Sequence, residues 1–159
     1  MPDVLLDTSF LLPTLGLDVS EITKSDLESV RAASKKVRLH CSYASFVEIL
    51  GLMGKESRKV DAKAVSTGID SLLGSGLYRW TNPSLGAIRL ALELRTKGHK
   101  DDIDNILYAT AADSKMLFLS LDEELKSFLA RNGYDKGLMV KAHDLAARVG
   151  VPGPARQGD

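Results

Sequence analysis

The sequence lacks several features that would assign it to a class at once. Only one of its 159 residues, Cys41, is a cysteine, so no intrachain disulfide framework can form. No charged-then-apolar leader and no run of about 20 apolar residues appears, so we expect a cytoplasmic protein without a membrane partner. The chain also has no excess charge, because 21 Lys and Arg balance 21 Asp and Glu. A neutral molecule exerts no net attraction on nucleic acid, so any such binding needs a local patch.

Common catalytic motifs are missing as well. The sequence contains no Gly-x-Ser-x-Gly elbow and no phosphate-binding glycine loop, and His40, His99 and His143 are not at metal-ligand spacing. With 44% hydrophobic and 26% charged residues, the chain fits one globular domain with a full core. We expect this domain to cover residues 1–149, and residues 150–159, which offer little to bury, to form a disordered tail.

Short apolar runs alternate along the chain with segments of helical period. The predicted strands are residues 3–7, 37–41, 77–80, 116–121 and 137–140. The predicted helices are residues 25–36, 44–53, 61–73, 84–97, 101–111 and 123–129. Strands separated by helices imply βαβ units, and therefore a parallel sheet that is covered on both faces. The predicted fold is an α/β protein, a three-layer α/β/α sandwich with a mostly parallel sheet of about five strands.

Four acidic residues are predicted to meet at one edge of this sheet. Asp7 and Asp122 each follow an apolar strand, and ligands of such sheets bind beyond the carboxyl ends of the strands. Glu48 and Asp104 lie in the first turns of helices on the same rim. Four carboxylates together repel one another, and a hard divalent cation would relieve that repulsion. An all-oxygen site of this kind suits Mg²⁺ or Mn²⁺.

The helical wheel separates the acids on the two helices. Asp104 falls on the inner face, where a carboxylate needs donors, a cation or a metal, whereas Asp102 falls on the solvated face. Glu48 lies away from the predicted core face of its helix. The helical period permits it to face either a cleft or solvent, and a solvated residue is the default interpretation. That predicted core face consists of Phe46, Ile49, Leu50 and Met53.

These motifs, in this order, resemble those of the PIN-domain nucleases, especially the small toxin ribonucleases of VapC type. The resemblance extends over roughly residues 3–141. Leu5-Leu6-Asp7-Thr8-Ser9 is similar to the first motif of the family, and Glu48 to its mid-chain helical glutamate. The run Asp-Asn-Ile-Leu-Tyr-Ala-Thr-Ala at residues 104–111 resembles the third motif, and Leu119-Ser120-Leu121-Asp122 resembles the fourth.

The resemblance implies a function as well as a fold. It implies that the catalytic, metal-binding residues are Asp7, Glu48, Asp104 and Asp122, and that Ser9 and Ser120 orient their carboxylates. Bound Mg²⁺ or Mn²⁺ would lower the pKa of a water and stabilise the phosphate of RNA during in-line attack, leaving a 5′-phosphate and a 3′-hydroxyl. Many relatives carry an aspartate where this chain has Glu124, so a second metal ion stays open.

The resemblance also implies partners. It implies a homodimer, for which apolar helix surface around residues 46–53 offers an interface, and an antitoxin protein that pairs with the toxin. Neither the antitoxin nor the RNA that is cut can be named from the sequence.

Two other classes of function remain as alternatives. A non-catalytic RNA- or protein-interaction domain would keep the fold and lose one of the four acids, but all four are present. A strand-end-aspartate phosphatase or receiver-type domain needs a paired acid beside its aspartate, and Asp7 has only Thr8 and Ser9 beside it. The sequence therefore favours a metal-dependent endoribonuclease that is the toxin of a toxin-antitoxin pair.

Overall fold

The computed structural model describes residues 1–56 and 60–151, and these form five strands and seven α-helices. The strands β1 to β5 are Asp3–Leu6, Arg38–Ser42, Tyr78–Thr81, Leu117–Leu119 and Met139–Val140. The helices α1 to α7 are Lys24–Ala33, Ser45–Glu56, Ala62–Gly74, Leu85–Thr96, Asp102–Asp113, Glu123–Arg131 and Ala142–Arg148. Of the tail predicted at residues 150–159, residues 152–159 lie outside the described part of the chain. Across the described ranges, no helix is both long and apolar enough to cross a membrane.

The five strands form one parallel sheet in the order β3-β2-β1-β4-β5. Val4 of the central strand β1 lies opposite Leu39 of β2 on one side and Leu117 of β4 on the other. The chain therefore builds outward from β1 to β3 and then returns to add β4 and β5 on the opposite side. The carboxyl ends of β1 and β4 flank the point where the strand order reverses, which is where sheets of this class bind ligands.

Both faces of the sheet are covered by helices, so the predicted α/β/α sandwich is confirmed. Val4 and Leu6 pack on one side, in a core that also contains Ala33 of α1 and Leu145 of α7. Leu5 points to the other side, because successive strand residues alternate, and joins the core formed with α4, α5 and α6. All three of these β1 side chains are at most 2% exposed.

Helix α1 begins earlier than the sequence pattern predicted. Its N-cap is Thr23, whose hydroxyl accepts a hydrogen bond from the Asp26 backbone N–H at 3.1 Å. The Asp26 carboxylate accepts one from the Thr23 N–H at 2.9 Å, which completes a capping box. The predicted start at residue 25 is therefore one residue late, because Thr23 provides the cap and the helix begins at Lys24.

The predicted core face of α2 is wrong at one position. Ile49 is 1% exposed, as expected, but Leu50 is 67% exposed. The reason is that α2 packs against β2, α5 and the short 3-10 helix Thr8–Phe10 rather than against a single layer. This packing leaves Leu50 outside and turns Glu48 inward, so that one Glu48 carboxylate oxygen is buried. The default interpretation of Glu48 as a solvated residue is therefore wrong as well.

Helix α7 follows β5 and has no counterpart among the predicted helices. Its N-cap is Lys141, which makes no side-chain capping hydrogen bond. The chain therefore carries no start signal of the usual kind at this position. The helix is held instead by tertiary packing, because Ala142, Leu145 and Ala146 are fully buried.

Candidate active site

The first acid of the site, Asp7, directly follows the central strand. Its backbone N–H donates to the carbonyl oxygen of Leu119 at 3.0 Å, which extends the pairing of β1 with β4 by one residue. Its side chain is buried, and its Oδ2 accepts a hydrogen bond from the Ser120 hydroxyl at 2.7 Å. The Asp122 backbone N–H donates to the same hydroxyl oxygen at 3.1 Å. Ser120 therefore orients the Asp7 carboxylate and ties the ends of β1 and β4 together.

Two further acids come from the starts of α5 and α6. Asp101 caps α5 by accepting from the backbone N–H groups of Ile103 and Asp104, and this places Asp104 in the first turn. Asp122 caps α6 by accepting from the Leu125 N–H at 2.8 Å. The carboxyl groups of Asp104 and Asp122 lie close enough to form a hydrogen bond when one of them is protonated. Helix capping therefore explains how these two acids are positioned but leaves the Asp104 carboxyl free to face the cleft.

Glu48 supplies the fourth carboxylate from the first turn of α2. Its Oε2 atom is buried and has no hydrogen-bond partner among the described residues. Its negative charge helps to raise the pKa of Asp7, so the two carboxylates repel each other. A buried carboxylate oxygen without a donor is costly, so this atom requires a partner that the protein itself does not provide.

The electrostatics of the cluster oppose ionisation. Burial raises the pKa of Asp7 to about 6, against the hydrogen bond from Ser120, and the charges of Glu48 and Asp122 add to the increase. Burial also raises the pKa of Asp104 well above its usual range, together with its hydrogen bond to Asp122. Within the described residues, no Lys or Arg forms an ion pair with any of the four acids.

The donor set fits a hard divalent cation. All four side chains offer oxygen, and within residues 1–56 and 60–151 no Lys or Arg pairs with them and one buried oxygen of Glu48 has no partner. These are the conditions under which a carboxylate cluster binds Mg²⁺ or Mn²⁺. The residues present are therefore suited to the metal that the motifs imply.

Ser9, which was predicted to orient a carboxylate, and Glu124, whose role was left open, lie at the margin of the site. Ser9 lies on the 3-10 helix Thr8–Phe10, and in the described part of the chain its hydroxyl forms no hydrogen bond with a carboxylate. Glu124 is exposed and lines the outer part of the cavity that also contains Asp104 and Asp122. Lys100 lines the same cavity and is exposed, so it provides a local positive charge at the rim.

Sequence reasoning missed one buried residue of the cavity, His99. It is 6% exposed, and its Nδ1 lies 2.9 Å from Oδ1 of Asn105. One ligand atom from each of His99, Asp104 and Asp122 lies within 4.8 Å of the other two. Spacing rules overlooked His99 because no second histidine or cysteine accompanies it. The one indication in the sequence was the preceding glycine, Gly98. In the structure it has a φ of 108° and turns the chain inward after α4.

No family model and no curated protein matches the sequence. Solved structures do match over most of the chain. VapBC2 from Rickettsia felis, bound to a DNA fragment from its promoter, is 12% identical, covers 87% of this chain and 98% of its own, and has a TM-score of 0.63. A toxin-antitoxin complex from Klebsiella pneumoniae is 14% identical, with coverages of 87% and 97% and a TM-score of 0.56. VapC20 from Mycobacterium tuberculosis, a Sarcin-Ricin loop cleaving toxin, is 16% identical, with coverages of 84% and 97% and a TM-score of 0.55.

At identities this low, the similarity establishes architecture rather than activity. The matched chains are covered almost completely, so the likeness concerns whole domains and not a shared fragment. The resemblance noted in the motifs is therefore confirmed at the level of structure, and this chain has the fold of the VapC-type PIN-domain toxins.

Proposed function

We propose that this protein is a metal-dependent endoribonuclease and the toxin of a toxin-antitoxin pair. The observation that carries the proposal is the set of four carboxylates near the carboxyl end of β1. Among the described residues they form no ion pair with Lys or Arg, and one buried oxygen of Glu48 has no hydrogen-bond partner there. A stable protein gains nothing from such a cluster unless a cation occupies it. The fold shared with VapC-type toxins supports the choice of nuclease among metal-dependent functions.

The chain's own residues would prepare the site for the cation. Asp7, Glu48, Asp104 and Asp122 would hold Mg²⁺ or Mn²⁺, and Ser120 would keep Asp7 in the orientation that binding needs. When bound, the metal supplies a water of lowered pKa and stabilises charge that develops on the phosphate. Because the pKa values of Asp7 and Asp104 are raised in the free site, metal binding would release protons in the range where these groups are protonated, and the apparent affinity for metal would rise with pH.

The substrate proposed is RNA, cut to leave a 5′-phosphate and a 3′-hydroxyl. VapC20, one of the chains that share the fold, is a Sarcin-Ricin loop cleaving toxin. With no net charge on the molecule, binding must depend on local cations, and Lys100 at the rim of the cavity is suited to contact a phosphate. Structured as well as single-stranded RNA should therefore be tested.

We also propose that the protein acts in the cytoplasm as a homodimer that an antitoxin protein inhibits. Val47 and Leu50 on α2 are 64% and 67% exposed, and adjacent large apolar side chains of this kind are typical of an interaction surface. Light scattering at working concentration should give the mass of a dimer. A monomer under those conditions would refute this part of the proposal and leave the catalytic part intact.

The test of the catalytic proposal is cleavage of structured and single-stranded RNA by the purified protein in Mg²⁺, Mn²⁺ or EDTA. We expect cleavage only with metal, and none by an Asp104→Asn variant purified in the same way, which controls for contaminating nuclease. Mn²⁺ should also raise the melting temperature, by roughly 5–10 °C at 100 times its Kd, because it binds only the folded state. Cleavage that persists in EDTA would contradict the metal mechanism. RNA binding without cleavage would favour the non-catalytic alternative.

A further inference from the structure

We propose that His99 is a nitrogen ligand of the metal site, next to the carboxylates of Asp104 and Asp122. The proposal rests on the metal-dependent function above and adds a donor that the acidic motifs do not contain. It predicts a site of mixed oxygen and nitrogen donors, which differs in metal preference from a site of carboxylates alone.

The backbone around His99 holds the ring in place. Helix α4 ends at Thr96, and Gly98 adopts a positive φ that directs the next residue toward the core. The His99 N–H donates to the Leu94 carbonyl oxygen at 3.2 Å, which closes the turn. The imidazole packs against the ring of Phe128, with 5.1 Å between centroids. His99 is therefore a buried residue with a fixed ring rather than a mobile surface cation.

The partners of Asn105 decide which ring nitrogen carries the proton. Asn105 Nδ2 donates to the His99 carbonyl oxygen at 3.1 Å, and a carbonyl can only accept. The orientation of the amide is thus set, so the atom 2.9 Å from His99 Nδ1 is Oδ1, which also can only accept. Nδ1 must therefore carry a proton. In the neutral ring Nε2 then keeps its lone pair and can bind a metal. Metal-binding histidines usually donate the N–H of their other ring nitrogen to an acceptor, as Nδ1 does here to Asn105.

The distances favour a shared ion over a direct hydrogen bond. One ligand atom each of His99, Asp104 and Asp122 lies within 4.8 Å of the others, yet no ion pair within 4.0 Å joins His99 to either acid. Because Nδ1 is engaged by Asn105, the nitrogen available to these acids is Nε2. Ligand atoms of one octahedral ion lie about 3.0 Å apart when adjacent and about 4.2 Å apart when opposite, so the three side chains would have to close around an ion to contact it together.

The burial of His99 supports the same assignment. The residue is 94% buried, and the described residues offer Nε2 no hydrogen-bond partner, although His99 lines the cavity together with Asp104 and Asp122. Nε2 is not one of the fully buried atoms, so it is open to the cavity, where a ligand can reach it. An unpartnered imidazole nitrogen beside two carboxylates is the arrangement that a transition-metal ion completes.

A nitrogen donor changes which metal the site prefers. An imidazole nitrogen favours first-row transition-metal ions, the later ones most and Mn²⁺ least, whereas Mg²⁺ selects oxygen. We therefore expect the loss of His99 to weaken Mn²⁺ binding more than Mg²⁺ binding. His99→Gln should raise the Kd for Mn²⁺ by about tenfold or more and the Kd for Mg²⁺ by less than about threefold.

The decisive experiment is electron spin echo envelope modulation of Mn²⁺ bound to the full chain. We expect modulation from a coordinated ¹⁴N, replaced by the ¹⁵N pattern when the protein is grown with ¹⁵N-histidine. This measurement needs no variant and does not depend on activity. His99→Gln should lose the nitrogen signal, whereas the matched control His143→Gln should keep it, because His143 is exposed and pairs with Asp144.

The outcomes separate this inference from the proposed function. Mn²⁺ bound without nitrogen modulation in the wild type would overturn the role of His99 and leave the four-carboxylate nuclease intact. Failure of the wild type to bind Mn²⁺ at all would overturn both. Melting curves in EDTA check that His99→Gln is folded. If the variant does not fold, the isotope experiment on the wild type still shows whether a histidine nitrogen binds Mn²⁺.

Discussion

The two ends of strand β1 carry aspartates in opposite environments. At the amino end, the Asp3 carboxylate accepts from the Arg38 Nε at 2.6 Å and lies 2.7 Å from the His40 Nε2. The hydrogen bond from Arg38 is the largest cause that lowers the pKa of Asp3 well below its usual range. At the carboxyl end, burial raises the pKa of Asp7, and the charges that act on it from the described residues are those of Glu48 and Asp122.

The difference comes from what the neighbouring strands contribute. In the parallel register, β2 places Arg38 opposite Asp3 and His40 opposite Leu5, so Asp3 at the amino edge has a guanidinium and an imidazole as partners. At the other edge, the segment after β4 contributes the Ser120 hydroxyl and the Asp122 carboxylate. The amino edge is built for stability. The carboxyl edge keeps an electrostatic cost that only a bound cation offsets, as expected where function conflicts with stability.

The largest expected effect is on the carboxyl edge and uses Asp104→Asn. We expect RNA cleavage to fall by at least about 100-fold, because even residues that only support a metal ligand contribute 10–100-fold. Folding should be unaffected, since Asp104 favours the protonated form without metal and Asn can donate the same hydrogen bond to Asp122. An RNA-cleavage time course and a melting curve in EDTA check both statements. Retained cleavage would remove Asp104 from the site.

The second effect concerns the pH dependence of stability in EDTA. The pKa of Asp7 is about 6 in the folded protein against 3.8 ordinarily, so the folded state binds this proton more tightly than the unfolded state. The contribution of Asp7 to stability therefore falls as pH rises through that window, by about 3 kcal/mol in total. Asp7→Asn should remove this decline and melt above the wild type at neutral pH. Denaturant unfolding at several pH values measures it, and equal slopes for the two proteins would contradict the assignment.

The positions of the site residues also show how much of the site could be predicted from the sequence. Asp7 and Asp122 follow apolar runs, so strand prediction and parallel topology place them at one edge, and the helical wheel places Asp104 inward. The orientation of Glu48 could not be predicted from its own helix, because it depends on how α2 packs against α5. His99 was missed for a similar reason, since its partners Asn105 and Phe128 belong to other helices. Periodicity reports one element at a time, and a site is assembled from several.

A third effect tests the amino end of β1, where Asp3 lies. Asp3→Asn should lower the melting temperature at neutral pH by about 2–4 °C, because the pair with Arg38 is partly exposed and screened. The folded pKa of Asp3 is lowered, so its contribution is present above its usual value of 3.8 and is lost as pH falls below it. The deficit of the variant should therefore shrink in acid, opposite in sign to Asp7→Asn. Cleavage at neutral pH should be unchanged, and a loss of cleavage would mean that the two edges are coupled.

The smallest expected effect is that of Asp102→Asn, two residues from Asp104 on the same helix. The Asp102 side chain is 68% exposed, and its Oδ1 lies 3.5 Å from Nε of Arg95, which is itself half exposed. A pair of this kind contributes little, so the main loss is the favourable interaction of the acid with the N-terminus of α5, about 0.3–1 kcal/mol. We expect full cleavage and a small decrease in melting temperature that salt reduces further. Both variants remove one carboxylate from the first turn of α5, so they change the charge equally and differ only in position. Cleavage and melting of the two, measured in EDTA and in Mn²⁺, therefore show whether position or charge matters. An inactive Asp102→Asn with an active Asp104→Asn would mean that α5 presents its other face to the metal, and the assignment of the site would fail with it.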